Sequence, residues 1–371
     1  MDNTLQDLLA LVEKGTVEQR CAALLVLGAL KISNAATAKL VGTMLDSANP
    51  VLKDYALRYF EEVQPKNNTA QLLKMLDDGD KEMQERAVRS LSGVGQAVVP
   101  LLVQQSKDAS RTWQLNGARV LAAVRGKAAL KGLLQMLSAG TDETNKVICD
   151  LMTPALREME TKELDGFYDE VEAFAAKLDV KQQRPAAVST MRLLGQLGRP
   201  QARRWLFKYI GAEHHPAVRA HALVGLLRCL REQELRKDEY AKLLPILEEA
   251  EYSEVTRLVI DLLDAHELPE DSRSLLAKLM QSPHSDLQKF ALRKMGDVAT
   301  PASIRTLVEE LGDPDYRKRD VAASSLRKIP EARNVLLKDL ANCQDPSKAW
   351  SIAELLPSFE GKWRQDTLDG L

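Results

Sequence analysis

One arrangement of apolar residues recurs eleven times along the 371-residue sequence. In each copy, a small or apolar residue is followed one position later by another, and four positions later by a large apolar residue. The copies begin at Ala23, Ala56, Ala87, Gly117, Ile148, Ala187, Ala222, Val259, Ala291, Ala322 and Ile352. Successive starts lie thirty to thirty-nine residues apart. A period of this size over the whole chain is typical of a solenoid, whose stacked units bury their apolar faces against one another.

A second helix is predicted upstream of each copy. Apolar residues there follow the 3.6-residue spacing of a helix, as they do at Leu5, Leu8, Leu9 and Val12. Residues that stop one helix and start the next separate the two, among them Asn49-Pro50, His215-Pro216, Asp313-Pro314 and Asp345-Pro346. Each unit is therefore a helical hairpin. We predict an all-α fold, an α-solenoid of about eleven hairpins with at least twenty helices, no sheet and a right-handed superhelical path.

The composition agrees with a helical protein and argues against some partners. Aromatic residues make up only 5% of the sequence, while Leu and Ala are abundant, which favours helix packing over a β-rich fold. The formal net charge is −2, so nonspecific binding of nucleic acid is disfavoured and no membrane partner is expected. The four cysteines contain no C-x-x-C pair, and no basic leader or membrane-spanning run is recognisable. These features predict reduced cysteines and a cytoplasmic location.

The repeating unit resembles the HEAT repeat, in particular its short, PBS-lyase-like form. A Leu-rich first helix leads to a D-P-x-like turn, and a basic residue opens a second helix that continues as A-A-x-x-L. The basic residues are Arg20, Lys53, Arg219 and Arg319. The resemblance extends over roughly residues 3–358 and implies an α-solenoid. HEAT families include scaffolds, phosphatase and transport adaptors, bilin lyases and DNA-repair enzymes, so the resemblance does not select one activity.

The fifth and sixth units depart from the regular pattern. Thr153-Pro154 is expected to interrupt the second helix of the fifth unit, because Pro lacks an amide hydrogen and clashes with the preceding turn. A longer acidic helix is expected from Glu158 to Leu178, within a lengthened hairpin at 154–184 that changes the curvature; a domain boundary is the alternative. We therefore divide the chain into N-terminal repeats at 1–153, an irregular repeat at 154–198, C-terminal repeats at 199–358 and a cap or tail at 359–371.

The sequence carries no recognised catalytic or cofactor-binding motif. None of the patterns G-x-G-x-x-G, G-x-x-x-x-G-K-[ST], H-E-x-x-H and G-x-S-x-G occurs. His214, His215 and His221 form the only cluster of metal-ligand type, but no cysteine or paired carboxylate completes a recognised set. We interpret them as turn and helix-surface residues. The sequence therefore predicts no metal, no cofactor and no enzyme activity.

HEAT-like enzymes provide the alternative interpretation. DNA glycosylases of this class hold DNA in a basic groove with aromatic residues and a carboxylate, and Trp113, Trp205 and Trp350 would supply the aromatic residues here. Trp205, however, falls among the core positions of its helix. Bilin lyases share the repeat type, although no residue singles out a tetrapyrrole site. Deoxyhypusine hydroxylases need several His-Glu pairs, and only His266-Glu267 occurs.

Three arginines occupy the same place in consecutive units. Arg58, Arg89 and Arg119 each lie two positions after the start of the pattern, about 200° from it around the second helix. By resemblance, this exposed face forms the concave surface of a HEAT solenoid. On stacked helices about 10 Å apart, the three guanidinium groups would form a ladder suited to carboxylates or phosphates on an extended partner.

Ordinary surface salt bridges are the alternative interpretation of this row. Asp54 and Glu85 lie four positions before the first and second arginine, at the spacing of a helical ion pair. Arg119 has Leu115 at that place and is predicted to have no such partner. We predict a non-catalytic protein-interaction scaffold or adaptor that binds another protein, or an acidic or phosphorylated peptide, on its concave face.

Overall fold

The computed structural model describes residues 3–64, 68–230 and 233–359, which form twenty-two α-helices, numbered in chain order, and contain no β-strand. The first helices of successive hairpins are α1 Asn3–Lys14, α3 Ala35–Leu45, α5 Thr69–Lys74, α7 Val99–Gln105, α9 Gly126–Met136, α11 Thr161–Ala175, α13 Ala202–Lys208, α15 Lys237–Leu243, α17 Arg273–Met280, α19 Pro301–Glu309 and α21 Ala332–Asn342. The second helices are α2 Val17–Ala29, α4 Pro50–Val63, α6 Lys81–Val94, α8 Arg111–Val124, α10 Asp142–Glu158, α12 Arg184–Leu197, α14 Pro216–Cys229, α16 Glu254–Asp264, α18 Ser285–Val298, α20 Tyr316–Leu326 and α22 Pro346–Leu355. The predicted all-α solenoid of helical hairpins is confirmed.

The recurring apolar pattern forms the core. In all eleven hairpins, both the first residue of the pattern and the large apolar residue four positions later are buried. Phe60, Leu91 and Leu226 have no exposed surface. The small residues at the first position let neighbouring second helices approach closely, and α2, α4, α6 and α8 pack in series. Local periodicity thus sets both the helices and the side on which they stack.

Side chains at the predicted turns begin several of the second helices. Asn49, His215 and Asp345 each accept a hydrogen bond from a backbone amide in the first turn, and a proline follows at the first helical position. The pair Asp313-Pro314 lies before its helix, and Asp315 caps α20 instead. These caps satisfy amides that have no partner within the helix.

A polar side chain three positions before the pattern start links the two helices of a hairpin. In seven hairpins of the described chain it donates a hydrogen bond to a backbone carbonyl in the turn after the first helix. The donors and the residues that supply the carbonyl are Arg20 and Gly15, Gln84 and Asp78, Gln114 and Ser106, Asn145 and Leu137, Arg219 and Ile210, Gln288 and Ser282, and Arg319 and Asp313. Three of the four basic residues of the repeat pattern therefore cap carbonyls at the end of the first helix, and Gln or Asn does the same in four other hairpins. Lys53, the fourth, pairs with Asp78 instead.

The helix that was expected to stop at Thr153-Pro154 continues through it. Helix α10 extends to Glu158 with Pro154 inside it, so this prediction is wrong. Pro154 cannot donate to the carbonyl of Asp150, but both residues are exposed, so the missing bond lies on the solvent side of the helix. The Thr153 Oγ1 atom also donates to the carbonyl of Cys149 at 3.1 Å, within the same turn. The proline therefore costs one helical hydrogen bond on the exposed side, and the helix continues for four residues after it.

The chain divides into two compact units, residues 1–199 and residues 200–371. The first unit contains α1 to α12, and the second contains α13 to α22. The acidic helix α11 is shorter than the expected span from Glu158 to Leu178, and residues 176–183 connect it to α12. The boundaries at 153/154 and 198/199 stay predictions. The predicted tail 359–371 lies, apart from Phe359, outside the described residues.

Candidate partner-binding surface

The second helices of the second, third and fourth hairpins carry the predicted row of arginines. Helices α4, α6 and α8 pack in series, and Arg58, Arg89 and Arg119 occupy equivalent positions on them. Their side chains are 43%, 56% and 40% exposed, respectively. The row is therefore accessible, and its chemistry depends on what each guanidinium already binds.

Arg58 pairs within its own helix. Its Nε atom lies 2.9 Å from the Asp54 Oδ2 atom, so the helical salt bridge that the sequence indicates at this position is confirmed. The guanidinium also lies over the ring of Tyr55, 5.1 Å from the ring centre. Neither Nη atom of Arg58 has a hydrogen-bond partner among the described residues.

Arg89 does not pair with Glu85, its neighbour one turn earlier. Instead, its Nε and Nη2 atoms lie 3.1 and 3.0 Å from the Glu61 Oε1 atom on the preceding second helix. The expected pair within α6 is wrong because Glu61 lies opposite Arg89 across the packed helices, and Glu85 is occupied elsewhere. The Nη1 atom of Arg89 has no described partner.

Arg119 has a partner that its own helix does not provide. Its Nη1 and Nη2 atoms each lie 2.7 Å from a different carboxylate oxygen of Glu85, and Nη1 also lies 3.1 Å from the Asn116 side-chain oxygen. As predicted, Arg119 has no acidic partner four positions earlier in its own helix, and Glu85 on the preceding second helix supplies one instead. Hydrogen bonds from Arg119 hold the pKa of Glu85 below its ordinary value, and the charge of Arg89 contributes in the same direction.

A fourth arginine, Arg86, connects this surface and was not found from the sequence. Its Nε atom lies 2.5 Å from Asp54, and its Nη atoms lie 3.3 Å from Glu61 and 3.0 Å from Glu82. The side chain is largely buried between α4 and α6. It occupies the position just before the start of the pattern, where the sequence offers no recurring charge that would have marked it.

Taken together, these residues form a neutral network and not a basic strip. Arg58, Arg86, Arg89 and Arg119 carry four positive charges, and Asp54, Glu61, Glu82 and Glu85 carry four negative charges. An anion that binds here either uses the guanidinium nitrogens that remain without a partner or competes with a carboxylate of the chain. The surface therefore suits a partner with spaced charges better than a uniform polyanion.

The same kind of ion pair recurs elsewhere between second helices. Arg293 holds Asp264 through two bonds, of 3.1 and 2.6 Å, with both residues at positions equivalent to those of Arg89 and Glu61. In the first unit, Arg192 on α12 lies 2.6 Å from Asp150 on α10. Pairs of this kind fix the register of neighbouring hairpins, so part of the charge pattern on this face serves the fold.

The tryptophans differ in how far a partner can reach them. Trp113 is buried, and its Nε1 atom donates to the carbonyl of Leu73 at 2.8 Å, so it cannot supply an exposed aromatic ring. The ring of Trp205 is stacked on that of Tyr209 at 6.3 Å. Trp350 is exposed and lines, with Tyr316, a groove of about 480 Å³ between α20 and α22. Trp113 therefore cannot belong to the set of exposed aromatic residues that a glycosylase groove would need.

The three clustered histidines contact backbone atoms. The Nδ1 atom of His215 accepts from the first turn of α14 at 3.1 Å. His214 and His221 place a ring nitrogen 3.2 and 2.9 Å from the backbone carbonyls of Lys208 and Ala217. Within residues 3–64, 68–230 and 233–359, no group of three or more His, Cys, Asp or Glu residues is placed to hold a metal ion. No helix in those ranges combines the length and apolar character that crossing a membrane requires.

Comparison with protein families identifies the repeat. Residues 240–327 match a family model described as HEAT repeats. The resemblance to HEAT repeats is confirmed. The matched stretch runs from within α15 to the end of α20, and the other hairpins of the described chain repeat the same buried pattern. The sequence matches none of the curated proteins with which it was compared.

Solved structures with a similar fold include three of the karyopherin Kap121p. The structure of Kap121p bound to the SUMO protease Ulp1p is 13% identical, with a TM-score of 0.55, and covers 99% of this chain and 46% of that one. Kap121p itself gives a TM-score of 0.50 at 12% identity, with 96% and 46% covered. A mutant form of Kap121p gives 0.50 at 13% identity, with 100% and 45% covered. The chain thus spans less than half the length of these karyopherins, and the likeness is one of fold.

Proposed function

We propose that the chain is a non-catalytic scaffold or adaptor that binds an extended acidic or phosphorylated segment of another protein across α4, α6 and α8. Arg58, Arg89 and Arg119 are the proposed contact residues. One observation carries the proposal: Arg58 and Arg89, one hairpin apart, keep guanidinium nitrogens without a described partner while their side chains are 43% and 56% exposed. A carboxylate or phosphate can bind there without breaking an existing ion pair.

The three arginines are not equivalent as donors. Arg58 uses only Nε, so both of its Nη atoms can bind one anion with two parallel hydrogen bonds. Arg89 keeps one Nη atom, and Arg119 already commits both Nη atoms to Glu85. We therefore expect Arg58 to contribute most to binding and Arg119 least.

The charge of the surface restricts the partner. Because the network is neutral, the segment that fits carries acidic or phosphorylated residues at intervals that match the spacing of neighbouring hairpins. A HEAT solenoid supports this mode of binding, since it presents equivalent positions along a continuous surface. Among the solved structures of similar fold, one is of a karyopherin bound to another protein. We place the protein in the cytoplasm, in agreement with its four free cysteines.

A peptide-binding experiment tests the proposal. The probes are a fluorescent peptide of alternating Glu and Ser residues, the same peptide with phosphoserine, and a Lys and Ser peptide of equal length. Fluorescence anisotropy with the 371-residue chain should detect the first two and not the third. Arg58→Gln should weaken binding about tenfold, as expected for the loss of a charge-assisted contact, and Arg89→Gln should weaken it by less. Equal binding of all three peptides, or no effect of either substitution, would contradict the proposal.

Two further variants separate binding from structure. Arg192→Gln removes a similar ion pair between second helices, outside the row, and should leave peptide binding unchanged. Glu85→Gln should strengthen binding, because it removes the carboxylate that occupies both Nη atoms of Arg119. Glutamine is preferred to glutamate at the arginines, because a new carboxylate would lie beside Asp54, Glu61 or Glu85 and disturb the packing of the hairpins.

A further inference from the structure

A pocket of about 470 Å³ lies among the helices α9, α10 and α11 of the first unit. Leu130, Ala155, Met159 and Phe167 form its apolar part, and Leu130 and Phe167 are buried. Charged side chains line the remainder, and none of the lining residues belongs to the row of three arginines. This volume and this mixture of apolar and charged residues are typical of pockets that hold small molecules.

The irregular fifth hairpin supplies one wall of the pocket. Helix α10 has 17 residues, whereas no other second helix of the described chain has more than 14. The part of α10 beyond Pro154 carries Ala155 and Glu158 and leads to Met159, and these three residues line the pocket. The continuation of the helix past the proline therefore provides a wall that a helix ending at Thr153 would not provide.

Gly166 keeps the pocket open on the side of α11. It lies in the interior of that helix, where glycine is less favourable than alanine. A methyl group at this position would meet no atom of a neighbouring helix within 4 Å, and the backbone is not left-handed, so neither packing nor conformation requires glycine here. Since Gly166 lines the pocket, a large side chain at this position would extend into the space that a ligand occupies.

Cations outnumber the carboxylates that are available at the rim of the pocket. The side chains of Arg125, Lys127 and Lys162 line it and have no hydrogen-bond or ion-pair partner among the described residues. Of the two carboxylates that line it, Glu163 already accepts a hydrogen bond from a backbone amide at 3.2 Å, which leaves Glu158. Helix α9 also begins at the rim without a side-chain cap, and its dipole adds to the positive potential. The rim therefore favours an anionic group over a cationic one.

We propose that this pocket binds a small amphipathic anion whose apolar body lies against Leu130 and Phe167. Its carboxylate binds the cations at the rim through charge-assisted hydrogen bonds. A medium-chain fatty acid and an aromatic acid both have this form. A fully polar anion would leave the apolar lining in contact with water, and an uncharged or cationic amphiphile would leave the rim cations without a partner.

Equilibrium dialysis of radiolabelled octanoate against the 371-residue chain tests the site. One octanoate should bind per chain. Unlabelled octanol and octylammonium should each displace it about tenfold less effectively than unlabelled octanoate, because neither makes the charge-assisted contact. Lys127→Gln and Lys162→Gln should each weaken octanoate binding about threefold, since each removes one of three cations that share the carboxylate. Glu158→Gln should strengthen binding, because it removes the carboxylate that competes for the same cations.

A leucine in place of Gly166 separates occupation of the pocket from folding. Gly166→Leu should abolish octanoate binding without loss of helical circular dichroism, because leucine favours a helix more than glycine does. Ala173→Leu is the matched control: Ala173 is exposed on the same helix, does not line this pocket, and should leave binding unchanged.

Three results would overturn the proposal. Octanoate that binds equally well to Gly166→Leu would show that it does not occupy this pocket. Displacement by octylammonium as effective as that by octanoate would contradict the anionic class of ligand. The absence of saturable octanoate binding to the unchanged chain would contradict the site itself.

Discussion

Glu85 and Arg119, on the second helices of neighbouring hairpins, form an ion pair in which both guanidinium Nη atoms lie 2.7 Å from the carboxylate. The two residues are 34 positions apart in sequence, about one repeat. The pair therefore forms only when α6 and α8 pack in this register. Since both side chains remain 40–46% exposed, solvent screens much of the attraction.

A double-mutant cycle should measure this coupling across the repeat. Glu85→Gln, Arg119→Gln and the double variant are expected to show an interaction free energy of about 0.2–1 kcal/mol in denaturant unfolding. The coupling should fall as salt is added. If the two single substitutions have additive effects on the free energy of unfolding, the contact contributes nothing to stacking.

Removing core volume should have a large effect on stability. Leu91 and Leu226, one in each unit, have no exposed surface. Leu91→Ala or Leu226→Ala should each lower the free energy of unfolding by about 2–5 kcal/mol, through lost burial and the cavity that remains. Hydrogen exchange should show the largest loss of amide protection in the hairpins next to each substitution, because repeats contact only their neighbours. A uniform loss along the whole chain would contradict this local coupling.

The hydrogen-bond donor three positions before the pattern start should contribute to the stability of the fold. The Gln114 Nε2 atom bonds the carbonyl of Ser106 at 2.9 Å and that of Ala139, in the next hairpin, at 3.4 Å. Gln114→Leu should cost about 1–3 kcal/mol in thermal or denaturant unfolding, because buried carbonyls lose their donor. Gln135→Leu, at an exposed position, is the matched control and should change stability by less than about 0.5 kcal/mol. Equal effects of the two variants would argue against the capping role.

Stability should fall as the pH decreases through the range in which histidine titrates. Burial lowers the pKa of His266 below its ordinary value of 6.5, and the charges of Lys294 and Arg203 lower it further. The unfolded chain therefore binds a proton at this residue more readily than the folded one. The stabilisation is complete above pH 6.5 and is lost as the pH falls below it towards the folded pKa. Denaturant unfolding at several pH values should show this loss, and His266→Gln should reduce it. An unchanged pH profile in that variant would contradict the assignment.

Unfolding is expected to begin near the fifth and sixth hairpins. Helix α10 contains Pro154. Residues 176–183, which connect α11 to α12, form a longer connection than most of those within the other hairpins. Irregular connections and a missing helical hydrogen bond lower the local free energy of opening. Hydrogen exchange should therefore be faster in residues 150–185 than in the hairpins on either side. The prediction that unfolding begins here would be refuted if residues 150–185 proved the most protected part of the chain.

The interior of the hairpins was predictable from the sequence because it depends on local periodicity. A residue such as Ala56 and the Phe60 that follows it four positions later lie on one side of a helix whatever surrounds them. Eleven repetitions of the pattern then require stacking, since no single hairpin can bury its own apolar face. The fold class and the buried positions thus followed from spacing alone.

The chemistry of the candidate surface was not predictable in the same way. Arg89 pairs with Glu61 and not with Glu85, and Arg119 finds its partner on the preceding helix. Long charged side chains reach several carboxylates at similar cost, so sequence spacing within one helix does not decide between them. Arg86, the most buried member of the network, shares no recurring pattern that would have revealed it.

The sequence by itself therefore determined the helices, their pairing into hairpins and the side on which each one stacks. Only the tertiary structure decided which charges meet and that Pro154 stays within a helix. The physical reason is the range of the interactions. Apolar periodicity acts between residues a turn apart, whereas ion pairing and the covering of a face depend on which helix packs beside which.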